Sequence, residues 1–297
     1  MPSRQSPRAI DHLVLPVVEL VDARERYGQL GFTVAPDAQH PFGTENCCIF
    51  LPDGTFLEPL AITHRETCET WSKKGNPFIR RDQAYRFRVG DEGFSHLVIK
   101  SDDASADHRY FKKSGISQGK KVRFSRRFEM PDGGAGEVAF KLAFAGDARS
   151  PDSGYFACEP TKTAKVDRSA LLKHENGAVR LKEVIATEIN PTDFQYFFQD
   201  FLSQRHMTAD SFGMSFETAN ARLTVLTPEG ARVFYGIEAE TRQRGVRLEG
   251  FVIGVADFEH SQTLLDRNEV AHEKRGESLI VPPAKGQGAT IIFEASI

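Results

Sequence analysis

The chain has 297 residues, 40% hydrophobic and 27% charged, with a formal net charge of −3. That length predicts about two domains or one large fold with internal repetition, and the near-balanced charge excludes bulk attraction to nucleic acid or to an anionic membrane. No apolar run approaches the ~18 residues of a membrane span, and the N-terminal MPSRQSPRAIDHLVL lacks the apolar core of a signal peptide, so a cytoplasmic protein is expected.

Ile10–Val18 reads as a strand. Leu20, Ala23, Tyr27 and Leu30 then share one helical face, and Gly31 stops the helix. Residues 46–51 and 55–60 flank Pro52-Asp53-Gly54, which predicts a hairpin: proline presets φ and glycine supplies φ > 0. Cys47, Cys48, Cys68 and Cys158 form no Cys-x-x-Cys pair and read as reduced thiols. Adjacent in a strand, Cys47 and Cys48 point to opposite faces. The polar stretch 63–92 reads as a connection.

The pattern then recurs. Phe94–Ser101 is a strand, 104–114 a helix ended by Gly115, and further strands run to Tyr155–Cys158. After a second connection at 161–178, Arg180–Ile189 is a strand. The helix 191–202 carries Phe194, Phe197, Phe198 and Phe201 on one face. Residues 222–227 and 231–237 flank Pro228-Glu229-Gly230, which predicts a second hairpin. Leu248–Val255, a helix near 257–267, and strands at 277–282 and 289–295 complete a fourth round. FLPDGTFLEPL (50–60) aligns without gaps on LTPEGARVFYG (226–236), as expected for a repeated supersecondary unit.

The stretches IDHLVLPV, LGF and HPFGTENCCIFLPDGTFLE resemble the first module of a glyoxalase-like domain of the vicinal oxygen chelate superfamily. The resemblance implies an α+β fold of four βαβββ modules. These would form two domains of the glyoxalase, bleomycin-resistance and extradiol-dioxygenase kind, at 8–163 and 174–297. It implies a divalent metal, Fe, Mn, Ni, Co or Zn, held from the first and last strands of each module. Carried over residue by residue, those positions are His12 and Glu58 in module one, and His96 and Glu159 in module two. In the second half they are Glu183, Phe234, Gly250 and Glu294, so a ligand set there is incomplete.

The implied activity is that of an enzyme on a small oxygenated molecule. Metal-bound neighbouring oxygens and a carboxylate base, Glu58 or Glu159, suit lyase or isomerase chemistry. Two histidines and one carboxylate suit a non-haem Fe(II) dioxygenase. The other reading is a metal-free protein that binds or sequesters a small molecule in the same cavity. A monomer or a homodimer is compatible with four modules in one chain.

Three further motifs bear on the site. His40, Thr44 and Asn46 in HPFGTEN either make a tight turn or orient a substrate at the cavity mouth. In KKVRFSRRF, Val122, Phe124 and Phe128 alternate with Lys121, Arg123 and Arg127. That pattern reads as a solvated strand face, or as an anion hook for an acidic substrate. His174 reads as structural, and nothing near Cys158 in sequence would activate it as a nucleophile.

Overall fold

A computed structural model describes residues 6–129, 135–163, 167–239, 241 and 243–296, apart from the side chains at 127–129 and 135. The first module is β1 (Ile10–Pro16), α1 (Leu20–Gln29), β2 (Ala38–Gln39), β3 (Thr44–Asn46), β4 (Ile49–Phe50) and β5 (Phe56–Ile62). Helices α2 (Arg65–Lys73) and α3 (Pro77–Arg88) follow. The second module is β6 (His96–Lys100), α4 (Ala104–Lys113), β7 (Val122–Glu129), β8 (Ala135–Ala145) and β9 (Gly154–Lys162). The third is β10 (Ala178–Thr187), α5 (Gln195–Phe201), β11 (Thr208–Ala209), β12 (Gly213–Glu217) and β13 (Arg222–Leu226), followed by α6 (Pro228–Tyr235). The fourth is β14 (Arg247–Val255), α7 (Phe258–Arg267), β15 (Glu273–Arg275), β16 (Ser278–Val281) and β17 (Thr290–Ala295).

Modules pair two by two. One nine-stranded sheet runs β2-β3-β5-β1-β6-β9-β8-β7, with β4 beside β5; an eight-stranded sheet runs β11-β12-β13-β10-β14-β17-β16-β15. At the centre of each sheet the two first strands lie antiparallel, and each pairs in parallel with the last strand of its own module. The α+β fold of four modules in two curved sheets is therefore as expected.

The four module helices also end alike. A backbone N–H reaches back five residues at Phe32→Tyr27, Ile116→Phe111, Gln204→Gln199 and Val270→Leu265. The residue before each donor is left-handed: Gly31, Gly115, Ser203 and Glu269. This is the Schellman closure that satisfies a helix's last carbonyls, met by glycine in the first two copies and by strained side chains in the last two.

Three expectations are corrected. The stretch 63–92 is not a bare connection but holds α2 and α3, the latter started by Pro77 and by Asn76, whose side chain accepts from Phe78 N and Ile79 N. Pro52-Asp53-Gly54 makes the expected hairpin turn, with Gly54 at φ 84°. Pro228-Glu229-Gly230 instead opens α6, because Thr227 Oγ1 caps Gly230 N at 3.1 Å and proline sits in the first turn. Phe234 therefore lies on a helix, and β13 is the strand beside β10. The run 46–51 also divides into β3 and β4 around Cys47 and Cys48.

Side chains alternate across the first sheet. Leu13, Leu15, Leu57, Leu97 and Ile99 enter a core that also holds Val184, Val225, Phe251, Ile253 and Phe293 of the second sheet. The two sheets are thus packed back to back. The opposite face of the first sheet carries Val14, Leu60, Val98, Phe156 and Cys158, roofed by Phe78 and Ile79 of α3. The opposite face of the second is filled by Ile185, Val252 and Ile292 against Ala231 of α6 and Ile237.

Candidate functional site

Strand register fixes which residues are equivalent. In module one, Val14 stands two places after His12 and pairs with Glu58. In module two, Val98 stands two places after His96 and pairs with Phe156. The equivalent of Glu58 is thus Phe156, not Glu159. Glu159 points to the other face, where its carboxylate accepts from Ala104 N at 2.9 Å and holds Lys141 at 3.1 Å. It binds the start of α4, as a carboxylate at a helix N-terminus should. In the second half the same rule gives Glu183 with Thr224 and Gly250 with Ile292, replacing Phe234 and Glu294.

The first sheet curls around a cavity of about 340 Å³ whose lining includes His12, His40, Asn46, Glu58, Arg126 and Phe156. Glu58 is 6% exposed. Its Oε1 accepts from Asn46 Nδ2, and His40 Nε2 lies 3.8 Å from it. Its Oε2 faces His12 Nε2 at 3.5 Å. The other nitrogen of His12, Nδ1, is 2.7 Å from Asp11 Oδ2. A carboxylate only accepts, so His12 Nδ1–H donates to Asp11 and Nε2 is turned toward Glu58. The gap between Nε2 and Glu58 is a place for one positive charge, a proton or a cation.

His40 is a neutral neighbour. Burial first, then Arg126 and His12, hold its pKa down to about 3. Thr44 does not line the cavity; its Oγ1 bonds His40 Nδ1 at 3.0 Å and fixes the ring. The turn at Gly43 is tight as well: φ is 94°, and a Cβ there would come within 2.6 Å of the His64 carbonyl.

His96 lies apart from this group. Its Nδ1 is 2.8 Å from Ser95 Oγ, and its buried Nε2 has no hydrogen-bond partner among the described residues. The ring lies over Gly154, where an added Cβ would stand 2.1 Å from Cδ2. It faces a neighbouring cavity of about 460 Å³ with Arg81 and Gln118. Phe156 separates the two histidines, its ring centre 5.6 Å from His12 and 5.7 Å from His96. Phe78 stacks on His96 at 5.6 Å. Burial, then Arg81 and His12, lower the His96 pKa to about 3.

Among the described residues, no three His, Cys, Asp or Glu side chains gather around one point as ion ligands. The donor chemistry suits a divalent ion only at the His12–Glu58 edge, where a carboxylate meets a nitrogen already backed by Asp11. Of the four candidate ligands the fold joins His12 and Glu58, parks His96 next door and excludes Glu159.

Cys48 and Cys158 line the cavity, and all four cysteines are free thiols. Burial, with Glu58 close by, pushes the Cys48 and Cys158 thiols up, so neither is a poised nucleophile. His174 is structural: Nδ1 accepts from Thr33 N at 3.0 Å and Nε2 meets Phe50 O at 2.9 Å. Lys121 and Arg123 are exposed, as a solvated strand face requires; the side chains of Arg127 and Phe128 lie outside the described residues. Sequence reasoning missed Asp11, Phe78 and Arg126. Arg126 was within reach, because it alternates in step with Val122 and Phe124.

Comparison with known proteins agrees with the fold. The model of a family described as a glyoxalase-like domain matches residues 10–202, more than half of the chain. No curated protein matches significantly. A hypothetical protein from Staphylococcus aureus superposes with a TM-score of 0.67 at 11% identity, covering 97% of this chain and 99% of its own. A mutant of 4-hydroxymandelate synthase from Streptomyces coelicolor gives 0.57 at 13% identity, covering 98% and 93%. The Mn(II)-bound glyoxalase from Novosphingobium aromaticivorans gives 0.52 at 11% identity, covering 98% and 82%. With its modules, register and family match in agreement, the chain belongs to the glyoxalase-like domain family of the vicinal oxygen chelate superfamily.

Proposed function

We propose that the first-sheet cavity is the active site of an enzyme that moves a proton on a small, largely apolar, oxygenated molecule. The observation that carries this reading is Glu58. It is a buried carboxylate on an apolar strand, facing His12 Nε2 across 3.5 Å, with the other His12 nitrogen committed to Asp11. Glu58 takes the proton from the substrate carbon next to an oxygen and returns it. Asn46 holds the carboxylate in place, and neutral His40 beside it adds no competing charge. The phenylalanine walls surround these groups with apolar surface, which strengthens each of these polar contacts. His12 and Glu58 would hold a divalent ion, which when bound supplies Lewis acidity toward a substrate oxygen.

The test combines metal analysis of untagged protein with proton exchange. In D₂O, a panel of α-hydroxyketones and α-keto acids is followed by NMR. Exchange at the carbon beside the carbonyl is expected, and Glu58→Gln should slow it by about 10²-fold or more. Bound metal near one equivalent, reduced in both His12→Ala and Glu58→Gln, is expected alongside. No exchange with any member, together with no metal and no thermal stabilisation by added metal, would refute the reading.

The second reading is a metal-free binding protein of the same fold. The presence of Phe156 at the fourth ligand position favours it. It predicts ligand binding that chelators and Glu58→Gln leave unchanged.

A further inference from the structure

We infer that the molecule this cavity takes is a small apolar monocarboxylic acid, an aryl- or alkyl-carboxylate, with its head group on Arg126. The inference rests on the cavity being the functional site, and it names the ligand class.

Arg126 projects from β7 on the Phe124 side and lines the cavity half-buried. One of its N–H groups, on Nη1, donates to Asn46 Oδ1 at 3.1 Å. Among the described residues no carboxylate lies within ion-pair distance of it, while two neighbouring lysines are matched: Lys162 with Glu137 at 2.6 Å and Lys141 with Glu159 at 3.1 Å. A guanidinium carries five donors in a planar fork that fits a carboxylate with two parallel hydrogen bonds. Arg126 therefore offers an unfilled anion seat inside an otherwise aromatic chamber.

The rest of the cavity fixes what the anion is attached to. Phe42, Phe56, Phe124, Phe140, Leu142 and Phe156 supply apolar walls. If about 150 Å³ accommodates benzene, 340 Å³ takes roughly ten to fifteen non-hydrogen atoms. Asp11 and Glu58 share the same space, so a second negative charge carried beyond the head group meets their repulsion, and a monoanion is favoured. Asn46 links the two ends, accepting from Arg126 and donating to Glu58. It keeps the ligand's carboxylate one side chain away from Glu58 and leaves the atoms beyond the head group on the Glu58 side. Arg168, at 4.9 Å over the Phe50 ring, adds a second positive group to the lining and draws anions toward it.

The probes are 4-phenylbutyrate and its uncharged amide, measured by titration calorimetry on the full chain. The acid is expected to bind about tenfold or more tighter than the amide. Arg126→Met should erase that preference, with an unchanged circular-dichroism spectrum and melting temperature showing that the variant is folded. Arg126→Lys should keep part of it. Glu58→Gln should keep the acid preference even where proton exchange is abolished, so loss of the enzymatic reading and loss of this one are distinguishable. Equal affinity for acid and amide in the native protein, binding of neither, or an acid preference that survives Arg126→Met would overturn the inference.

Discussion

His40 and His96 are both buried as neutral rings, 9% and 1% exposed, with pKa values lowered to about 3 from 6.5. Between those limits the unfolded chain binds protons that the folded chain refuses. The stability gained by keeping the rings neutral is complete above about pH 6.5 and is lost as the pH falls toward 3. Each ring contributes a slope of up to about 1.4 kcal/mol per pH unit. His96→Asn keeps a polar atom near Ser95 and removes the titrating ring. Urea denaturation at pH 7 and pH 5 should show the native protein losing roughly 1–2 kcal/mol more than the variant on acidification. Equal losses would show that His96 is not held neutral. At this scale the sequence was readable wherever a polar side chain interrupts an apolar strand, as His12, Glu58 and His96 do. Phe156 was not readable, because its equivalence to Glu58 depends on which strands pair, and the shared Glu-Pro dipeptide drew the alignment three places too far. Asp11 was hidden because next-door residues on a strand ordinarily point apart, yet its carboxylate reaches the His12 ring.

Helix α3 shows how an element can matter to a site without announcing itself. Its sequence PFIRRDQAYRFR carries four arginines and an aspartate, and it buries Phe78, Ile79, Asp82 and Tyr85. Phe78 nonetheless stands between the two cavities, against His96 and Phe156. The helix begins where it does because Asn76 accepts from Phe78 N at 3.0 Å and Ile79 N at 3.3 Å. Asn76→Ala should cost about 1–2 kcal/mol, and Asn76→Asp should recover most of it. The single tryptophan, Trp71, reports locally, since its carbonyl accepts from Asn76 N and its ring packs by Phe42. A shift in Trp71 fluorescence should accompany the stability change; unaltered stability would show that the cap is dispensable. The two Pro-x-Gly triplets make the same point about legibility. Both carry turn residues; Thr227 Oγ1 caps a helix start in one, while Asp53 Oδ1 accepts from Thr55 N at 2.9 Å and closes a hairpin turn in the other.

The repeat itself was legible at the scale of the molecule, because four strand–helix–strand rounds leave a periodic trace, with a glycine stop at Gly31 and Gly115 in the first two. How the halves join was not, since it rests on contacts between residues far apart. Asn220 bonds both the N–H and the carbonyl of Ile10, at 2.8 and 2.9 Å, and Asn176 donates to Leu30 O at 2.8 Å. With one apolar core between the sheets, neither half can lose structure without exposing the other. Calorimetry should show a single transition with equal calorimetric and van't Hoff enthalpies; two resolved transitions would contradict the shared core. The back-to-back packing has a consequence for inheritance. Lesions in the second sheet reach the Glu58 chamber only through the common core, so they should behave as conditional alleles, tolerated in the cold and rescued by any substitution that stabilises the whole. Under the proposed function, lesions at Glu58 or Arg126 should instead leave a well-folded protein that no such suppressor repairs.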